Sequence, residues 1–290
     1  MYLEGTLDGE NRVSRGNTGN LILKLLKTNS RRGGKVIILC RNTDKGQDAI
    51  KRIKLETGYT AELYKLDLAS LDSVRECAAI LKKKYPKIDI LLNNAGVMLS
   101  PKMETKDGFE LQLGTNHFGH FLFTLLLLDN VKAASPSRII NVSSLAHTEG
   151  KMFWDDLHMK YIYTPMKAYQ QSKLANILFT KSLAEKLKGS GVTTYALHPG
   201  VVATELGRHL PTVWGTFTSK LFTFIGFFFF KSPKLGAQTS IYCAVDESLA
   251  KETGKYYSGC NEKTPSKAAR NMEDAERLWK ISLKTVGLQS

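Results

Sequence analysis

KIDILLNN, residues 87–94, is the stretch whose reading decides the fold. Apart from Asp89 its centre is a continuous aliphatic run, and it leads into LLNNAG (91–96), polar residues closed by a glycine. A strand with one wet face alternates apolar and polar side chains, whereas a strand buried on both faces of a parallel sheet does not. The same lack of alternation marks KVIILC (35–40), AELYKLDL (61–68), SRIINVSS (137–144) and VTTYALH (192–198). Amphipathic stretches at 43–56, 71–85, 109–132 and 166–188 separate these runs and read as helices. Strands alternating with helices at this spacing predict an α/β fold, a doubly wound parallel sheet. No internal repeat and no Pro/Gly/Ser-rich linker divides residues 1–290, so a single domain is expected.

Composition sets outer limits. A chain of 290 residues with 42% hydrophobic and 23% charged side chains has the balance of an ordinary globular protein with a sizeable core. Cys40, Cys77, Cys243 and Cys260 show no metal-ligand spacing, so no metal is expected. Residues 1–12 are polar and acidic and do not read as a secretory signal; reduced thiols in a cytosol-facing compartment follow. The net charge of +14 favours anionic partners or simply a solvated basic surface. No nucleic-acid motif accompanies it, and no nucleic-acid partner is expected.

The chemistry gathers at strand ends. In a doubly wound sheet the carboxyl ends of the strands face the ligand crevice. LLNNAG ends one strand, and Gly96 lets a ligand approach the backbone closely. NVSS (141–144) ends a second strand, and a hydroxyl there can meet a carbonyl group. HPG (198–200), with Pro199 and Gly200, ends a third. Tyr169 and Lys173 stand four residues apart in a predicted helix and share one face. A phenol titrates near 10 and is a poor acid-base catalyst at neutrality; an ammonium beside it is expected to bring that value down.

These motifs together resemble the short-chain dehydrogenases/reductases, and within them the retinol dehydrogenase branch. The resemblance runs from about residue 33 to the end. It is carried by NNAGVM (93–98), GTNHFGHFLFT (114–124), RIINVSSLAH (138–147), AYQQSKLANILFTKSLAEKL (168–187), TTYALHPGVVATEL (193–206) and KSPKLGAQTSIYCA (231–244), with RLWKIS (277–282) in the tail. It implies a Rossmann-type fold and a catalytic tetrad. Tyr169 is then the general acid or base, and Lys173 holds the nicotinamide ribose. Ser144 polarises the carbonyl, and Asn116 anchors a water leading from Lys173 to solvent. It also places Asp67 near the adenine, Asn93 along the cofactor edge and Thr204 at the nicotinamide carboxamide. At the end of the second strand such folds use a carboxylate to hold the ribose of NAD. This chain has Cys40 and Arg41 there, and a guanidinium suits the 2′-phosphate of NADP(H).

The N-terminus departs from the pattern. VSRGNTGNLI (13–22) keeps the centre of the family's phosphate loop, Gly16, Asn17, Thr18 and Gly19. Arg15 and Leu21 stand where glycines give the tight turn and the close helix–strand packing. LEGTLDGENRV (3–13) offers few apolar anchors, so the first strand is expected to be weak or missing and residues 1–32 atypical. The aromatic run VWGTFTSKLFTFIGFFFF (213–230) sits in the region 205–235, which covers the substrate in the resembling family. It implies an apolar carbonyl or alcohol substrate, a retinoid or lipid aldehyde. The family's hydrophobic N-terminal anchor is missing, which leaves two locations open: the cytoplasm, or the cytosolic face of the endoplasmic reticulum or another membrane through peripheral contact. A homo-oligomer is a further expectation of the resemblance. Two functions of different class remain: an active NADP(H)-dependent oxidoreductase, and a cofactor-impaired homologue or defective isoform that binds lipids or partners.

Overall fold

Each strand of the sheet sends alternate side chains to opposite faces, and two separate apolar clusters receive them. A computed structural model describes residues 2–4, 35–200 and 233–288. Its strands are β1 (Tyr2–Glu4), β2 (Ile37–Cys40), β3 (Glu62–Lys65), β4 (Ile90–Asn93), β5 (Ser137–Val142), β6 (Val192–His198), β7 (Lys255–Ser258) and β8 (Asn261–Glu262). They lie in the order β3-β2-β1-β4-β5-β6-β7-β8. All neighbours are parallel except β7 and β8, which form an antiparallel edge pair.

Ile37, Leu39, Leu91 and Ile139 face one way. They pack with α2 (Leu71–Lys84), α4 (His120–Leu126), α6 (Pro165–Lys186) and α8 (Met272–Thr285). Ile38, Leu92, Ile140 and Leu197 face the other way, against α1 (Thr43–Thr57) and α7 (Pro233–Val245). Burying each such aliphatic side chain contributes roughly 1.5–3 kcal/mol, so the two covered faces hold the sheet. The first strand is present but only three residues long. It is wedged between β2 and β4, with Leu3 registered against Ile38 and Leu92. The chain therefore runs outward from β1 to β3 and crosses back to β4. This topological switch opens a crevice at the strands' carboxyl ends.

The helices start where polar side chains satisfy their free N–H groups. Asn42 caps α1, Ser70 caps α2, and Thr164 with Pro165 opens α6. One sequence expectation needs correction. The stretch 109–132 is not a single helix. It divides into α3 (Leu111–Leu113), a π-helical turn (Gly114–Gly119), α4, and α5 (Leu128–Ala133). A Cβ on Gly119 would stand 2.5 Å from the Leu68 carbonyl oxygen, so this turn is pressed onto the loop after β3.

Candidate active site

The parallel strands bring several of the expected residues to one edge. β4 runs out toward Gly96, β5 toward Ser144, and α6 lays Tyr169 and Lys173 alongside them. The serine pair is resolved by its partners. Ser143 is buried and its hydroxyl donates to the Lys173 main-chain carbonyl at 2.7 Å, fastening β5 to α6. Ser144 is partly exposed in extended backbone and caps a 3-10 turn (Leu145–Glu149); its Oγ accepts the Ala146 N–H at 3.2 Å. The Ser144 hydroxyl also acts on the Tyr169 phenol, lowering its pKa. With a main-chain N–H donating into its oxygen, the hydroxyl keeps its proton for an acceptor in front of it.

Tyr169 is 7% exposed, and burial pushes its pKa up to about 12, against a smaller lowering by Ser144. This reverses the expectation that Lys173 brings the phenol down. The Lys173 ammonium lies 5.7 Å from the centre of the tyrosine ring and donates to the Val142 carbonyl at 3.0 Å. Burial lowers its own pKa to about 8. Desolvation outweighs the pairing that the helical spacing suggested.

Asn116 sits inside the π-helical turn and is fully buried. Its Oδ1 accepts the Val97 N–H at 2.8 Å, and its Nδ2 donates to the Val97 carbonyl and to Ser172 Oγ, both at 2.9 Å. Its side chain is thereby committed to holding the loop after β4 against α6. Its main-chain carbonyl accepts from His120 Nδ1 at 2.9 Å. π turns concentrate at functional sites because they shift one carbonyl out of the regular ladder. Gly96 explains how close these groups come. A Cβ there would stand 3.1 Å from Asn116 Oδ1 and 3.5 Å from Lys173 Nζ.

Other expected residues fall differently. Asn93 is 1% exposed, and its Nδ2 donates to Thr124 Oγ1 and Asn141 Oδ1, both at 2.8 Å. Its Nδ2 thereby stitches β4 to β5 and α4, while its Oδ1 is buried without a partner among the described residues. Arg41 is exposed just beyond β2. Asp67 follows β3, and its Oδ1 accepts the Ala69 N–H at 3.0 Å. Pro199 and Gly200 follow β6. Gly16, Asn17, Thr18, Gly19, Arg15, Leu21, Thr204 and the aromatic run 213–230 lie outside the described residues.

Sequence reasoning missed the supports. Gln112 Oε1 accepts the Leu99 N–H at 2.9 Å, and Gln171 binds Phe153 and Leu157 main-chain groups, holding the loop that precedes α6. Ser172, inside the Tyr169–Lys173 spacing, joins α6 to the π turn. Gln171 and Ser172 stand inside the quoted stretch AYQQSKLANILFTKSLAEKL, their only signal, and Gln112 lies in no quoted motif. Exposed apolar side chains lie near the site residues along the chain. Leu145 adjoins Ser144, Met166 lies one helical turn before Tyr169, and Tyr161 and Ile162 stand in the preceding loop.

The family model for short chain dehydrogenase matches residues 21–212. Retinol dehydrogenase 13 of Homo sapiens is 51% identical over 263 residues, covering 90% of this chain and 80% of that protein. Retinol dehydrogenase 11 of Homo sapiens is 44% identical over 280 residues, 95% of this chain and 85% of that protein. Among solved structures, an uncharacterized protein from Mycobacterium paratuberculosis shares the fold with a TM-score of 0.73. It is 31% identical and covers 99% of this chain and 93% of its own.

Proposed function

The chain belongs to the short-chain dehydrogenase family, and from that premise we propose that it is an NADP(H)-dependent oxidoreductase. Its substrate pair on this reading is retinal and retinol, or a similar apolar aldehyde or ketone and its alcohol. The observation that carries the reading is the buried Lys173 ammonium 5.7 Å from the centre of the Tyr169 ring, with Ser144 following β5, at the carboxyl ends of parallel strands.

The residues fit a nicotinamide dinucleotide. Gly96 leaves the clearance a Cβ would fill beside Asn116 and Lys173. An ammonium carries three donors; one reaches Val142, and we assign the others to ribose hydroxyls. Arg41, at the end of β2, is assigned to the 2′-phosphate, with Asp67 toward the adenine. When bound, the cofactor supplies or accepts the hydride. Ser144 donates a hydrogen bond to the carbonyl oxygen and fixes its place. Tyr169, protonated throughout neutral pH, gives its proton to that oxygen in reduction; in oxidation its phenolate takes the proton back. Lys173, when charged, offsets the negative charge left on the phenol oxygen.

An apolar substrate is supported by exposed Leu145 next to Ser144, by exposed Met166 one helical turn before Tyr169, and by the names of the relatives. Among the described residues no helix is long and apolar enough to cross a membrane. Titrating the purified chain with NADPH and NADH, followed by tryptophan fluorescence, tests the cofactor assignment. NADPH is expected to bind more tightly, by at least about tenfold, and Arg41→Ala to remove most of that preference. Equal affinity for both would overturn the role of Arg41. Absence of binding would favour the cofactor-impaired homologue.

A further inference from the structure

We infer that His147 is a positioning residue for Ser144: as the neutral tautomer protonated on Nδ1, it holds the serine's main-chain carbonyl and ties it to the C-terminal segment at Ser266. The ring is 1% exposed. Its Nδ1 lies 2.6 Å from the Ser144 carbonyl oxygen, and the Ser266 main-chain nitrogen lies 3.3 Å from its Nε2. Both partners are main-chain groups whose roles cannot change. A carbonyl only accepts, so Nδ1 carries the proton; an amide N–H only donates, so Nε2 is bare. The tautomer is thus set by its neighbours.

Two donors from one residue converge on the Ser144 carbonyl, since the His147 main-chain N–H also reaches it at 3.2 Å. The His147 carbonyl in turn accepts from Gly150 N–H at 3.0 Å and from the Ser266 hydroxyl at 3.5 Å. Tyr256 on β7 closes the ring edge-on, with centroids 4.9 Å apart. Fixing the peptide plane after Ser144 fixes the direction of its Cα–Cβ bond, and the Ala146 N–H then fixes the hydroxyl. His147 itself is assigned no contact with substrate; it acts through the serine.

The far end of this link matters as much. Ser266 accepts the Ala269 N–H at 3.3 Å in the turn that leads into α8. α8 packs along α6, with Trp279 against Phe179 and Lys186 paired to Glu276. The same C-terminal element therefore braces the helix bearing Tyr169 and, through His147, the turn bearing Ser144. A displacement of the two hydroxyls relative to one another by about 1 Å costs on the order of a hundredfold in rate.

Side-chain geometry gives a test that packing alone would not satisfy. Asparagine places an amide N–H where Nδ1 sits, whereas glutamine reaches toward the position of Nε2. For NADPH-dependent retinal reduction, His147→Ala is expected to lower kcat by about 10–100-fold. NADPH affinity should stay within about twofold, since the link acts on Ser144 and not on the cofactor. His147→Asn should recover most of that turnover and His147→Gln little of it. Equal activity of the two, or recovery by glutamine alone, would overturn the inference. Nitrogen-15 NMR of the wild-type imidazole reads the tautomer without any turnover. Protonation on Nδ1 is expected, and an Nε2-protonated ring would contradict it. The inference rests on Ser144 meeting the substrate carbonyl. Undiminished turnover in Ser144→Ala would remove that reading and this inference with it. An inactive Ser144→Ala beside a fully active His147→Ala would remove this inference alone.

Discussion

Tyr169 shows what spacing can and cannot reveal at the scale of one residue. Four positions along a helix put it on the face of Lys173, and the structure keeps them together. The sequence carries no signal for the dielectric around them, and burial reverses the expected shift. The same limit applies to Asn93, whose motif pointed to a cofactor edge while its partners make it a sheet fastener. It applies also to His147, which was visible only as the last letter of RIINVSSLAH. A phenol held near 12 keeps its proton at neutral pH, which suits an acid. Replacing it with Phe is expected to lower carbonyl reduction by at least about a hundredfold. Fluorescence titration should meanwhile show NADPH affinity little changed. At Gly96 an added Cβ meets Asn116 Oδ1 at 3.1 Å, and either the amide or the loop must shift. Gly96→Ala is expected to reduce kcat by about tenfold in steady-state assays, on the same scale of displacement. An unchanged kcat would show that the approach of β4 to Lys173 is looser than it looks.

Among the elements, strands buried on both faces were the most legible, because an unbroken aliphatic run has few other uses. β6 was anticipated to its ends. The helix expected over 109–132 is helical over most of its length but subdivided, because apolar periodicity does not record a π turn, whose last residue Gly119 lies tight against the Leu68 carbonyl. Gly119→Ala is accordingly expected to cost roughly 1–3 kcal/mol in denaturant unfolding, the range for an overpacked site. β7 and β8 escaped notice as a short pair at the sheet's edge, while β1, expected to be weak or missing, is present with three residues. Inside α6, Lys173 works against stability. Its ammonium stays protonated to 10.5 when unfolded but only to about 8 when folded. The unfolded chain therefore binds more protons between those values, so the cost is full below pH 8 and is relieved as pH rises toward 10.5. A shift of that size corresponds to about 3 kcal/mol. Lys173→Met removes it, while Asn176 still donates to the Val142 carbonyl. Its melting temperature at pH 7 should exceed the wild type's even as turnover is lost. A lower one would mean that the ammonium is better solvated than its burial indicates.

Across the whole molecule, buried neutral histidines tie stability to pH. Burial, with the neighbouring His120, lowers His117 to about 3, and its Nε2 lies 2.8 Å from Ser282 Oγ on α8. His147 and His158 are lowered as well, chiefly by burial. Unfolding frees each of these rings to bind a proton below about 6.5. Stability is thus fully present above that value and falls as pH drops below it; for His117 the loss continues toward pH 3, by up to about 1.4 kcal/mol per pH unit. Calorimetry between pH 7.5 and 5 should show a falling melting temperature. The slope should be shallower in His117→Gln, which keeps an amide toward Ser282 but does not titrate; equal slopes would exclude His117 as a source. The doubly wound sheet and the pairing of Tyr169 with Lys173 were readable from strand ends and spacing, whereas Ser144 was singled out from Ser143 only by the family resemblance. The bracing of that cluster by α8 was not readable, because it joins residues some ninety or more positions apart. All of it converges on one chemical claim: this cluster reduces a carbonyl with hydride from NADPH and a proton from Tyr169. Retinal reduction by the purified chain, measured beside Tyr169→Phe at equal NADPH saturation, tests that claim most directly. The account predicts NADPH-dependent formation of retinol that falls at least about a hundredfold in the variant. Undiminished retinol formation by Tyr169→Phe, or none by a wild-type chain saturated with NADPH, would contradict it.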